Sequence, residues 1–180
     1  NSTEFVELFN TDPVERPLQD YRLSGDIDYI FPTGTVIQAR GFIVVARHPV
    51  AVQAAYGIGG VLGPYTGALP NNGGRVRLRN RIDAVLLETN YDTQHPWSIA
   101  TDGAGHSLHL SKPDYGEDDA RSWSASSHIG GTPGAVDAPT NSPLDAILVN
   151  EILGHTDLPQ VDLIELYNYG NSSVDLTDCT

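Results

Sequence analysis

The chain has 180 residues, 39% hydrophobic and 18% charged, which is enough apolar material for a folded core and too much for a wholly disordered tail. Its formal charge of −13, with one lysine against nine arginines, disfavours non-specific phosphate binding by the chain as a whole. No apolar run approaches the ~20 residues of a membrane-spanning helix. One cysteine, Cys179, excludes an internal disulfide and a multi-cysteine zinc site. Asn1 leads straight into a strand-like stretch and the chain has no methionine, so it reads as a piece of a longer protein.

In chain order, Glu4 to Asn10 alternates, with Val6 and Leu8 on one face and Phe5, Glu7 and Phe9 on the other. Short strands follow at 21–24 and 27–31, separated by Gly25-Asp26 and closed by Pro32-Thr33-Gly34, and Thr35-Val36-Ile37 leads to Gly41. Phe42 to Ala46 is short, continuous and β-branched, which predicts a buried central strand. Residues 49–56 are the one predicted helix, opened by Pro49 and stopped by Gly57. Arg75–Leu78 and Ile82–Thr89 predict a hairpin, and Ser107–Leu110 a further strand. Residues 112–134 read as loop and 135–143 as a linker. Ala146 to Leu153 opens a new strand. Many short strands with turn residues between them predict an antiparallel sandwich or barrel. Its core is expected to take Val6, Leu8, Leu23, Phe31, Ile43, Val45, Val76, Leu78, Leu108 and Leu110.

The segment Leu163-Ile164-Glu165-Leu166-Tyr167-Asn168 repeats Phe5-Val6-Glu7-Leu8-Phe9-Asn10 without a gap. At the same offset Leu18 aligns with Leu176, Asp20 with Asp178 and Tyr21 with Cys179. The reading is one domain over 1–134, a linker over 135–143, and the start of a second copy over 144–180.

Several ordered motifs carry a resemblance. They are Ile147-Leu148-Val149-Asn150-Glu151-Ile152, Tyr21-Arg22-Leu23-Ser24, Phe31-Pro32-Thr33-Gly34-Thr35 and Gly41 to Ala46, followed by Tyr91-Asp92 with Pro96-Trp97, Asp102 to Leu108, Trp123, and Gly130-Gly131-Thr132-Pro133-Gly134. In this order the chain resembles the lamin tail domain, bacterial type. The resemblance implies an immunoglobulin-like antiparallel β-sandwich in an extracellular or cell-envelope protein. It covers one nearly complete copy, lacking its opening strand, and the beginning of a second. It implies a non-catalytic module that contacts other protein domains or neighbouring repeats. The alternative is a calcium- or carbohydrate-binding module appended to an extracellular hydrolase. The broken repeat also predicts that residues 146–153 form a paired strand, completing the first domain within the chain or by exchange between chains.

Few residues suggest chemistry. Arg75, Arg77, Arg79 and Arg81 alternate and would share one face of a strand, as a basic stripe for an acidic partner or as a solvated face paired with Asp83 and Glu88. Asp114, Glu117, Asp118 and Asp119 form an acidic loop and are the calcium candidates, although their spacing departs from the twelve-residue helix-loop-helix pattern. Asp26 with Asp28, and Asp175 with Asp178, are lesser candidates of the same kind. The histidines at 48, 95, 106, 109, 128 and 155 are scattered. The serines at 122, 124, 126 and 127 near His128 lack a nucleophile elbow. Trp97 and Trp123 are either core plugs or sugar platforms. No cofactor and no catalytic residue is expected.

Overall fold

The computed structural model describes residues 2–138, 143–154, 157, 159, 161–177 and 179, with the side chain of residue 145 left aside. The chain divides into two compact units, Asn1–Ala138 and Pro139–Thr180.

In unit 1 the strands are β1 (Phe5–Phe9), β2 (Arg16–Pro17), β3 (Arg22–Gly25), β4 (Ile27–Ile30), β5 (Val36–Ile37), β6 (Phe42–Ala46), β7 (Thr66–Gly67), β8 (Gly74–Arg79), β9 (Val85–Tyr91), β10 (His106–Leu110) and β11 (Trp123–Ile129). Among the described residues one α-helix, α1 (Pro49–Tyr56), interrupts them. Its ends follow the sequence: Pro49 sits in the first turn, and Gly57 closes the helix at φ 66°.

A five-stranded antiparallel sheet runs β7-β4-β3-β8-β9, and β1-β6, β2-β5 and β10-β11 form antiparallel pairs. Leu23, Ile27 and Leu78 from the five-stranded sheet meet Val45 and Ile37 from the smaller pairs, with Leu18, Phe31 and Tyr65 filling between. Val6, Leu8, Ile43 and Val76 pack against this core while staying partly exposed. A second small cluster joins Val44 and Ala46 of β6 to Val52 of α1, with Phe5 and Tyr56 leaning on it edge to face. The architecture is therefore all-β, with antiparallel sheets layered on a shared core.

Of the ten expected core residues, Leu23, Phe31, Val45 and Leu78 are buried, and the other six are half-buried. The run 42–46 is flanked by β1 on one side and by a parallel bridge from Val45 to Leu62 on the other. Residues 123–129, read as loop, form the seven-residue strand β11, which pairs with β10 from Leu110↔Trp123 to His106↔Ile129 through a bulge. Its sequence Trp-Ser-Ala-Ser-Ser-His-Ile has small polar residues on both faces, so no period-two signal marks it. Buried Ser126 is accommodated because its hydroxyl accepts from Ser107 N–H and donates to the His128 carbonyl.

Asn10 is another buried polar residue that organises unit 1. Its Oδ1 accepts from Asp12 N–H, and its Nδ2 donates to the carbonyls of Val14 and Gln38. This side chain ties the end of β1 to the approach to β6.

Unit 2 holds a 3-10 turn at Pro143–Ala146, then β12 (Ile147–Leu153) and β13 (Leu163–Asn168), paired antiparallel with a bulge at residue 150. The strand expected over 146–153 is thus present, and its partner is β13. Asn168 repeats the geometry of Asn10: Oδ1 accepts from Gly170 N–H and Nδ2 donates to the Ser172 carbonyl. The turn Tyr21 N–H to Leu18 carbonyl in unit 1, at 2.9 Å, has its counterpart in Cys179 N–H to Leu176 carbonyl, at 3.1 Å. Asp178, aligned with Asp20, lies outside the described residues.

Candidate functional site

An open cleft of about 720 Å³ lies between β9 and the acidic loop. Its floor is Val85, Leu86 and Leu87, with Pro96 and Tyr115 beside them, and its rim carries Glu88, Glu117, Asp118 and Asp119. The position of β9 explains the cleft. It is the last strand of the five-stranded sheet, so its outer edge has no strand neighbour among the described residues. Val85, Leu86 and Leu87 are all exposed, which is unusual for three successive apolar residues on an edge strand.

The loop that faces β9 is built by its own polar groups. Two 3-10 turns, Pro113–Tyr115 and Ala120–Ser122, give it shape. Asp119 caps the second by accepting from Arg121 N–H, and it also takes a bidentate ion pair from the Arg121 guanidinium, which stacks over the Tyr115 ring. That hydrogen bonding holds the Asp119 carboxyl down at about 2. Ser122 donates to the Gly116 carbonyl, and the Trp123 indole donates to the Glu117 carbonyl at 2.8 Å. Asp118 reaches across to accept from both the backbone N–H and the Nδ2 of Asn90, so the loop is fastened to the far end of β9.

The calcium candidates are therefore not gathered on one point. Asp118 is engaged with Asn90, Asp119 with Arg121, and the carboxylates of Asp114 and Glu117 have no partner among the described residues. Among the described residues no three His, Cys, Asp or Glu side chains come together as a metal site. Asp175 accepts from Thr177, and Asp28 pairs with Arg22, while Asp178 is outside the described residues.

The arginine stripe is shorter than the sequence implied. Arg75, Arg77 and Arg79 alternate on β8, but Arg81 lies beyond it in the turn that Asn80 organises by accepting from the N–H groups of Ile82 and Ala84. Arg77 pairs with Glu88 across the hairpin, and Arg79 pairs with Asp83 at 3.5 Å and donates to Ser24. With Arg77 and Arg121 engaged, the cleft rim still carries more negative than positive groups.

The remaining candidates are dispersed. His106 Nδ1 lies 2.6 Å from the Ser126 carbonyl, and the hydroxyls of Ser122 and Ser126 donate to backbone carbonyls, so no serine–histidine side-chain pair forms there. His155 lies outside the described residues. Trp97 and Trp123 are both half-buried and neither lines the cleft. No described helix is long and apolar enough to cross a membrane.

One titrating group escaped sequence reading. Glu7 sits on the face of β1 away from the main core, opposite Val44, and its carboxylate accepts from Gly134 N–H at 2.5 Å. Burial pushes its pKa up to about 7, against the lowering effect of that bond. An acid whose native pKa lies above its unfolded value holds its proton more tightly when folded. Its contribution is therefore full below about 4.5 and is lost as pH rises to about 7. Glu7→Gln is expected to flatten that part of the stability–pH curve, read by thermal melts across the same window. A variant curve parallel to the parent's would show that Glu7 does not titrate there.

No protein-family model matches the chain, and no curated protein matches it.

Proposed function

We propose that this chain is a non-catalytic interaction module: an immunoglobulin-like sandwich of the lamin tail type, followed by the start of a second repeat, in a larger bacterial secreted or cell-surface protein. The repeat is supported by the two hydrogen-bonded turns that recur at one offset, Asn10 with Asn168 and Leu18–Tyr21 with Leu176–Cys179. The interaction role is carried by the cleft. An exposed apolar edge strand with a carboxylate rim suits an extended, basic segment of a partner protein, which would add to β9 by backbone pairing and place its apolar residues over Val85–Leu87. Because Asn90 and Arg121 engage Asp118 and Asp119, and the four carboxylates of the acidic loop do not converge with one another, this reading stands ahead of calcium binding.

The test is a titration with two short synthetic peptides, one alternating Arg with Leu and one alternating Glu with Leu. The Trp123 indole, bonded to the cleft rim, supplies the fluorescence signal. The Arg/Leu peptide is expected to bind saturably and to weaken with salt, and Leu86→Lys to weaken it by about tenfold or more. Equal binding of both peptides, or of neither, would contradict the proposal.

A further inference from the structure

The two units hold complementary pieces of one strand arrangement. In β1 the even-numbered residues turn their backbone toward β6: Arg47 N–H donates to the Glu4 carbonyl and Asn10 N–H to the Gly41 carbonyl. The N–H and C=O groups of Phe5, Glu7 and Phe9 therefore point to the opposite edge, where no strand lies among the described residues. In β13 the parity is reversed. Tyr169 N–H donates to the Ala146 carbonyl, so Leu163, Glu165 and Tyr167 turn toward β12. By the repeat, Leu163, Glu165 and Tyr167 correspond to Phe5, Glu7 and Phe9. The edge that β12 occupies on β13 is thus the edge that stands open on β1.

The register carries over residue by residue. Leu148 faces Tyr167, Glu151 faces Glu165 and Leu153 faces Leu163; on β1 the same places are Phe9, Glu7 and Phe5. Val149 and Ile152 face Leu166 and Ile164. Those positions correspond to Leu8 and Val6, whose side chains pack on the main core of unit 1. In unit 2 Val149 is 59% and Ile152 69% exposed. The polar contact is also matched: Asn150 Nδ2 donates to the Glu165 carboxylate, and Glu7 offers a carboxylate at the equivalent place.

We propose that the outer edge of β1 is a strand-acceptor site, and that its occupant is residues 146–153 of a second copy of this chain. The proposal rests on the reading of the chain as an interaction module and names a partner for a different edge. An isolated two-stranded hairpin is marginal in water, whereas β1 belongs to a packed core, so the strand gains by leaving β13 for β1. The pairing continues on β1 the interface that β12 already makes with β13.

Hydrogen exchange of the full chain, measured across a concentration series beside sedimentation velocity, tests this. The amides of Phe5, Glu7 and Phe9 are expected to slow by about tenfold or more as a dimer forms. Glu151→Pro, which removes an N–H that the donor strand turns toward its acceptor, and Phe9→Pro, whose ring replaces an N–H that does not bond β6, are each expected to leave a monomer with fast amides at positions 5 and 7. Trp97 and Trp123 both lie in unit 1, so their fluorescence reports whether the sandwich stays folded in either variant. Fast exchange at all three amides at every concentration would overturn the proposal. So would protection of these amides in a monomer, or a dimer that survives both variants. None of these results bears on peptide binding at β9, which stands or falls by its own titration.

Discussion

Replacing Phe31 with alanine is expected to destabilise unit 1 by about 3–5 kcal/mol, the cost of deleting a fully buried aromatic and leaving its space partly unfilled. Phe31 is 0% exposed and lies where the two layers meet, with Leu23, Ile27, Val45 and Tyr65 in the same cluster. Tyr29 meets its ring edge to face, with centroids 5.3 Å apart, so the substitution also removes an aromatic contact. The expected readout is a fall in melting temperature of about 10 °C or more, followed by tryptophan fluorescence. A shift of a degree or two would mean that the residues around Phe31 close the space, and that the core is not assembled about this ring.

Gly25→Ala is expected to cost about 3 kcal/mol or more, by a different route. Gly25 ends β3 at φ +116°, where an L-residue is strained, and an added Cβ would lie 2.2 Å from the Arg75 carbonyl oxygen. That oxygen accepts from Asp26 N–H, and the Asp26 carboxylate accepts from Arg75 N–H at 2.5 Å, so neither strand can move off without losing the bonds that close the turn onto β8. Denaturant unfolding of parent and variant gives the difference directly. An unchanged midpoint would contradict the close approach of β3 and β8 at this place.

What was legible in the sequence follows from how local the signal was. Phe42–Ala46 is β-branched and continuous, and α1 is bracketed by Pro49 and Gly57, so both elements appear with the expected bounds. The strand β11 was hidden because its small polar residues pair with β10, and one of the two hydrogen bonds that make Ser126 acceptable comes from Ser107, 19 residues earlier in the chain. Leu18 and Tyr65 are buried from segments outside the regular strands, where no periodicity points inward. Arg81 looked like the fourth member of a strand face, but the Asn80 turn ends β8 before it.

The site was less legible than the fold. Val85-Leu86-Leu87 reads as an ordinary return strand, and nothing local says that it ends up at a sheet edge. The acidic loop was visible as composition, yet its role is set by Asp118 reaching Asn90, a contact 28 residues apart in sequence. In the sequence Glu7 falls only on the strand face opposite Val6 and Leu8. Its half-buried state comes from the segment ending at Gly134, which no reading of residues 4–10 could supply.

The strand β9 and the loop facing it are proposed to receive an extended partner segment. Hydrogen exchange of the full chain with and without the Arg/Leu peptide locates that event most directly. Slowed exchange confined to residues 85–90 and 115–120 is the predicted result; slowing elsewhere with β9 unchanged, or no slowing at a peptide concentration that saturates the fluorescence signal, would contradict it.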